Sequence, residues 1–315
     1  MEEHERPAGT SDVTPGGGPQ RRPGRLGVGV VGAGKVGAVL GSALRAAGHA
    51  VVGVSAVSAA SRDRADAMLP GVPVLEVPDV VERAELVLLT VPDDALVDLV
   101  AGLAATGAWQ PGQLVVHTSG RHGWRVLGRA VESGAIPLAL HPAMTFTGTS
   151  LDVVRLTDCC FGVTAPNPVL PIAQALVVEM GAEPVVVAEE LRPLYHAGLA
   201  HGSNHLFALV AQALETLRLA GVEEPARLLG PLMSASLDNA LRRGEDALTG
   251  PVARGDAETV AIHVEALTAA GAADVLATYR SLARTTADRA LASGRLRPDA
   301  AEALLSALAG PADPA

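Results

Sequence analysis

Two hydrophobic rhythms alternate along the chain. Runs such as "LGVGVV" from Leu26 and "LVLLTV" from Leu86 are uninterrupted by charge and dense in Val, Leu and Gly. Runs of this kind predict strands buried on both faces. Between them lie stretches such as "KVGAVLGSALRAAG", residues 35–48, whose apolar positions recur with the period of an amphipathic helix. That stretch ends at Gly48, the residue type helices favour just past their last turn. Further buried strands are predicted at "HAVVGVS" (49–55), "GQLVVHTSG" (112–120) and "IPLALHP" (136–142), and two more strands, "CCFGVTA" (159–165) and "EPVVVA" (183–188), are expected to extend the sheet. Strands alternating with helices predict an α/β fold, a doubly wound parallel sheet. From Glu189 onward the chain is rich in Ala and Leu at helical spacing and shows no convincing strand. Pro225, Gly230-Pro231 and Gly250-Pro251 are expected to divide this part into several helices. The predicted organisation is a disordered tail at 1–25, an α/β domain at 26–189 and an all-helical domain at 190–310.

Composition narrows the function. The tail is charged, rich in Pro and Gly and nearly without large apolar side chains, so it is expected to lack order and to be no secretory signal. The residues after Gly310 are expected to fray. No segment offers about 18 uninterrupted apolar residues, so no membrane span is expected and the protein reads as soluble and cytoplasmic. The chain has 34 Asp and Glu against 24 Lys and Arg, which argues against a nucleic-acid partner. Cys159 and Cys160 are adjacent, where a disulfide would be strained, and suit a buried strand in a reducing compartment. Lys35 is the only lysine. Any mechanism that needs a lysine elsewhere is thereby excluded.

Lys35 lies within Gly32-Ala33-Gly34-Lys35-Val36-Gly37, a G-x-G-x-x-G between a predicted strand and a predicted helix. In that context the pattern reads as a dinucleotide site of the Rossmann type. Gly32 permits the turn, Gly34 lets the backbone approach a diphosphate, and Gly37 lets helix and strand pack closely. The diphosphate would rest on the helix N-terminus, with Lys35 and Val36 in the first turn. The second strand ends at Ser55 instead of the Asp or Glu that usually holds NAD ribose. Ser58, Ser61, Arg62 and Arg64 follow. Hydroxyls and guanidinium groups without a carboxylate suit a 2′-phosphate, so NADP(H) is the expected cofactor. Asp63 and Asp66 keep open the alternative that the arginines lie on a solvated helix start. Val91-Pro92, Ser119-Gly120 and His141-Pro142 each end a predicted strand at the edge where open α/β sheets bind ligands. Pro92 and Pro142 also serve as simple strand terminators. Ser119 or Thr145 is a candidate for a substrate carboxylate.

"HTSG" (117–120), "HPAMTF" (141–146), "YHAGLAHGSN" (195–204) and "LTGPVARGDAETV" (248–260) together carry a family resemblance. Over residues 26–290 the chain resembles Rossmann-like proteins whose helical C-terminal half is a domain of unknown function. That group is similar to the 6-phosphogluconate dehydrogenase-like reductases, which include pyrroline-5-carboxylate and ketopantoate reductases. The resemblance implies an NADP-dependent oxidoreductase and, for part of the group, reduction of 2-dehydropantoate. The chain departs from the wider superfamily at one point. Many members use a Lys-x-x-x-Asn pair on the first helix of the second domain, and no lysine stands there.

Histidine is the available substitute. "YHAGLAHGSNHLFAL" (195–209) places His196, His201 and His205 in one predicted helix. His196, Ser203, Asn204 and Phe207 fall near one face of it. His201 and His205 share another face at a spacing known for zinc ligands, but no Glu lies between them and no metal site is expected. Histidine titrates near neutrality and can act as a general acid. His196 is the first candidate, since it matches the family's Tyr-His pair, and His201 is the second. Asn204 and Ser203 would hold the substrate. Ordinary polar packing at a helix–sheet interface stays open for all of them. Arg254 either clamps a substrate carboxylate or pairs with Asp256 or Glu258 to fix its turn, and His263 is core or interface. The expected reaction is hydride transfer from NADPH to the C=O of a small carboxylate substrate, with 2-dehydropantoate foremost. An imine reductase of the pyrroline-5-carboxylate type and a non-catalytic NADP(H)-binding sensor are the alternatives. The apolar helical half is expected to form a homodimer.

Overall fold

The computed structural model describes residues 25–309, so the expectations for residues 1–24 and for the end beyond Ala309 lie outside the described residues. The chain divides into two compact units after Leu199. Among the described residues the first is built on seven strands: β1 (Gly27–Val31), β2 (Ala50–Ser55), β3 (Leu86–Leu89), β4 (Leu114–His117), β5 (Ile136–Pro142), β6 (Cys160–Thr164) and β7 (Glu183–Val186). They form one sheet in the order β2-β1-β3-β4-β5-β6-β7. Every neighbouring pair is parallel except β5 with β6, which runs antiparallel. The expected doubly wound parallel sheet is present, with that one antiparallel pair as its exception. An apolar run such as "CFGVT" dictates burial but carries no direction.

Among the described residues seven helices cover the sheet: α1 (Lys35–Ala46), α2 (Ala59–Met68), α3 (Val77–Arg83), α4 (Asp93–Ala105), α5 (Gly128–Glu132), α6 (Ser150–Arg155) and α7 (Leu170–Glu179). Side-chain alternation along the strands feeds two cores. Val28 and Val30 of β1 join Leu40, Leu44, Leu88, Val116, Leu138 and Phe161 on one face. Val31 joins Val87, Leu89, Leu96, Val115 and Leu127 on the other. The parallel register aligns Val31 with Leu89, Leu89 with His117, and His117 with Ala139. Gly32, Thr90 and the residues after His117 therefore leave the sheet at one level. The strand order reverses at β1, which makes the turn after it the ligand crevice of an open α/β sheet.

Helix α8 (Arg192–Leu219) begins in the first unit, and the unit boundary falls inside it. Composition changes character at Glu189, but Arg192 and Tyr195 are tied to the sheet, so the first two turns of α8 belong with it. The second unit continues with α9 (Pro225–Arg243), α10 (Pro251–Arg254), α11 (Ala257–Ala269), α12 (Ala273–Ala292) and α13 (Pro298–Ala309). Its own core joins Val252, Val260, Val264, Ala287, Ala290, Leu304 and Leu308. Pro231 does not divide helices as expected; it lies inside α9. The carbonyl it leaves unpaired, four residues back at Arg227, is on an exposed residue where water can satisfy it. Among the described residues no helix is long and apolar enough to cross a membrane.

Candidate functional site

The glycine-rich turn is held from behind and open in front. Gly32 has φ +97°, a conformation that side chains other than glycine rarely adopt. Its N–H donates to Ser55 Oγ at 3.0 Å, and the Thr90 hydroxyl donates to its carbonyl at 2.6 Å. A Cβ on Gly37 would collide with the Gly32 carbonyl and the Thr90 hydroxyl, so close packing of helix on turn requires glycine there. A Cβ on Gly34, by contrast, would meet nothing within 4 Å. Gly34 caps α1 without a side-chain hydrogen bond, and no acidic residue stands in the first turn. Free N–H groups and the positive end of the helix dipole thus face open space, which suits a phosphate. Val36 is part of that first turn and half-buried.

A cavity of about 450 Å³ at the end of β2 is lined by Ser55, Val57, Arg62, Glu76 and Asp79, among others. Ser55 is 6% exposed and turns its hydroxyl onto Gly32, so it braces the turn. Ser58 caps α2 by accepting the Ser61 N–H at 3.1 Å. Arg62 is exposed and makes no ion pair among the described residues. Arg64 points the other way: its Nη1 donates to the Ala33 carbonyl at 3.2 Å. Above it lies the loop after β5, where a Cβ on Gly148 would stand 2.7 Å from Arg64 Nε and 3.0 Å from Lys35 Cγ. Asp152 fixes this loop by accepting the N–H groups of Thr147 and Gly148, each at 2.7 Å, and the Thr147 hydroxyl. Burial opposes ionisation of Asp152. The N–H of Gly148 and the hydroxyl and N–H of Thr147 outweigh it and hold the carboxyl below its usual range. Thr145, in the same loop, is exposed, and Val91 and Pro92 lead into α4.

A second cluster sits at the ends of β4 and β5. His117 is fully buried, donates from Nε2 to the Gly123 carbonyl at 2.9 Å and accepts the Ser119 N–H at Nδ1. Burial pushes its pKa down to about 3. Arg192 is equally buried and has three carbonyl acceptors: His122 and Gly162, each at 3.0 Å, and Ser119. Glu189 accepts the N–H groups of Trp124 and Arg125. These bonds lock the loop 119–125 and β6 to the start of α8. One turn on, the Tyr195 hydroxyl lies 2.9 Å from His141 Nδ1, and the Arg192 guanidinium stands 5.3 Å from the Tyr195 ring centre. The rings of His141 and His196 meet edge to face at 5.9 Å. A Cβ on Gly120 would strike His196 and come within 2.9 Å of His141 Nε2, so Gly120 provides clearance between the loop and two imidazoles. Desolvation lowers the His141 pKa to about 4, with Arg192 and His196 adding repulsion.

The structure thus brings His141, His196, Ser119 and Gly120 together, at the same edge of the sheet as the turn that carries Gly32, Gly34, Lys35 and Gly37. The remaining candidates lie in the second unit. His201 and His205 are exposed and hydrogen-bond each other at 2.9 Å, and Ser203 and Asn204 are exposed. Arg254 is exposed at the end of α10, and Asp256 caps α11 by accepting the N–H and hydroxyl of Thr259. Arg254 makes no ion pair among the described residues, so the pairing with Asp256 or Glu258 is absent. His263 bonds the Tyr279 hydroxyl at 2.9 Å. No cluster of three or more His, Cys, Asp or Glu in metal-binding reach exists among the described residues. Both cysteines are free. Arg192, Glu189, Thr90 and Asp152 escaped the sequence reading, because each gains its role from partners distant along the chain or, for Asp152, from a loop with no periodic signal.

Residues 12–142 match the model of a Rossmann-like domain, and residues 159–286 match that of a domain of unknown function, DUF2520. No curated protein matches the sequence. Among solved structures, the chain is similar to a protein from Bacteroides fragilis provisionally assigned as an NADP oxidoreductase, with a TM-score of 0.69 and 20% identity over 84% of this chain and 98% of that one. It is also similar to a reductive aminase from Aspergillus terreus in complex with NADPH and ethyl levulinate, with a TM-score of 0.62 and 18% identity over 89% and 99%. An imine reductase from Myxococcus stipitatus, a variant in complex with NAD+, gives a TM-score of 0.58 and 19% identity over 90% and 99%. At these identities the likeness is one of fold.

Proposed function

We propose that this chain, a Rossmann-like domain followed by a DUF2520 domain, is an NADPH-dependent reductase of a small carboxylate substrate, with 2-dehydropantoate as the leading choice. The observation that carries the reading is the shared edge of the sheet. The open N-terminus of α1 follows β1 and His141, in contact with His196, ends β5 at the same edge, as a dinucleotide and its reaction partner require. Bound NADPH supplies the hydride. The N–H groups at Lys35 and Val36 hold the diphosphate, and Lys35 and Arg64 balance its charge. Arg62, on the cavity at the end of β2, takes the 2′-phosphate. His196 gives a proton to the carbonyl oxygen as that oxygen receives the electron pair of the reduced double bond. A second reading, reduction of an imine, is favoured by the likeness to an imine reductase and a reductive aminase. It uses the same residues, with nitrogen in place of oxygen.

The test is loss of NADPH absorbance with 2-dehydropantoate and with a cyclic imine carboxylate, using NADH as the control cofactor. Turnover with one substrate decides between the two readings. His196→Ala is expected to lower turnover by about 100-fold or more while NADPH still binds. Tight NADPH binding without turnover of any carbonyl or imine would leave a binding protein and end the reductase reading. The same proposal includes a homodimer through the helical unit, since Phe207 and Leu241 are 83% and 79% exposed and Leu228 and Leu232 follow at 60% and 64%. Light scattering at micromolar concentration should give twice the chain mass; a monomer would refute it.

A further inference from the structure

Two imidazoles meet at the sheet edge, and only His196 has been given work. His141 is the better held of the two. Its Nδ1 lies 2.9 Å from the Tyr195 hydroxyl. No other acceptor for the phenolic proton lies within hydrogen-bond distance among the described residues. The phenol therefore donates to Nδ1, and the proton of the neutral His141 ring resides on Nε2. That atom faces Gly120 and the His196 ring, has no partner among the described residues and is not sealed from solvent. The result is an oriented, unpaired N–H at the ligand edge of the sheet.

Resting on the reductase reading, we propose that His141 is a second catalytic residue: its Nε2–H donates a hydrogen bond to the oxygen or nitrogen of the double bond being reduced, while His196 delivers the proton. Tyr195 is a positioning residue that fixes the His141 tautomer. The division of labour has an electrostatic reason. The groups facing His141 are Arg192, His196, Tyr195 and, farther off, Asp93. Burial and the Arg192 cation disfavour an imidazolium at His141, so a neutral donor is the form this environment supports. A neutral imidazole can stabilise charge developing on an oxygen without being consumed as an acid. Hydride adds to the carbon, the π electron pair moves to the oxygen or nitrogen, and the single proton taken up there comes from His196. His141 keeps its own.

The experiment combines a structural and a kinetic readout on the full chain. Long-range NMR of protein labelled with ¹⁵N-histidine should show His141 as the Nε2–H tautomer, neutral from pH 7 down to about pH 4. Tyr195→Phe should give a mixture of tautomers. In NADPH turnover, His141→Leu should lower kcat by about 100-fold with KM little changed. His141→Gln, which restores an N–H at similar reach, should recover at least about 10-fold of that loss. An Nδ1–H tautomer, or titration near neutral pH, overturns the proposal, and so does full activity in His141→Leu. If the wild type reduces no carbonyl or imine, the reductase reading fails and the catalytic role of His141 with it. The tautomer measurement then identifies a structural Tyr–His pair.

Discussion

Helix α8 carries two groups of polar residues, and they differ in how they are held. In its first two turns Arg192 is buried on three carbonyls, Tyr195 is bonded to His141, and His196 packs against His141 and the Gly120 backbone. In the next turns His201 and His205 bond, among the described residues, only each other, and Ser203 and Asn204 are exposed. The residue types are alike; the anchoring is not. An exposed side chain must give up rotamer freedom each time it acts, whereas an anchored one has lost that freedom during folding. Orientation of a proton donor is therefore cheaper in the first group, and imidazole density along a helix is a poor guide to a site.

The contrast breaks most visibly if the anchor is removed. Arg192→Leu leaves the Ser119, His122 and Gly162 carbonyls without their donor in a buried place. Chemical denaturation should show a loss of about 3–5 kcal/mol. An unchanged midpoint would mean that water satisfies these carbonyls and that Arg192 anchors nothing.

The buried histidine behind the anchor gives the next effect. His117 has a pKa of about 3 in the fold against 6.5 for a free imidazole. Between those values the unfolded chain binds a proton that the folded chain refuses. Stability contributed by this group is complete above pH 6.5 and declines on acidification by roughly 1.4 kcal/mol per pH unit until about pH 3. The unfolding free energy of the wild type, measured from neutral to mildly acid pH, should fall more steeply than that of His117→Gln. Parallel curves would show that His117 takes up its proton in the folded state.

Much of this was legible in the sequence. Apolar runs placed β1 to β7, and G-x-G-x-x-G in its strand–helix context placed the turn that Gly32, Gly34 and Gly37 build. His196 and His141 were both marked as candidates, but their meeting was not. That depends on Arg192, and an arginine at the start of an apolar helix reads as surface until residues 119, 122 and 162 converge on it. The direction of β6 was equally hidden, since burial pattern is the same for both directions. Ser55 stands where the sequence placed it, but the rotation of its hydroxyl toward Gly32 is a property of the turn. Arg62 and Arg64 show the limit most plainly. They lie two residues apart on one helix, about 200° around its axis, so only one can face the glycine turn. Docking of the helix decides which.

That pair sharpens the comparison between anchored and free cations. Arg64 lies against Ala33 and the loop at Gly148, where a diphosphate would pass; Arg62 is on the cavity beyond β2. Arg64→Ala should weaken NADPH and NADH alike by about 10-fold, as loss of one charge-assisted contact does. Arg62→Ala should weaken NADPH by a similar factor and leave NADH unaffected. Titration of nicotinamide fluorescence distinguishes the two patterns. Equal effects of both variants on both cofactors would remove the assignment of the 2′-phosphate to Arg62.

The smallest effect belongs to the second group on α8. His201 and His205 form an exposed pair at helical spacing, and such pairs contribute a few tenths of a kcal/mol. Replacing both with alanine removes that bond but raises helix propensity, so the two changes nearly cancel. The expected result is a stability within about 0.5 kcal/mol of wild type and turnover within about 2-fold. The measurement weighs against His196→Ala, since one helix and one residue type supply both variants. A loss in the double variant as large as that of His196→Ala would mean that anchoring is not what distinguishes the two groups. The proton donor would then belong to the exposed pair, and His141 and His196 would be packing.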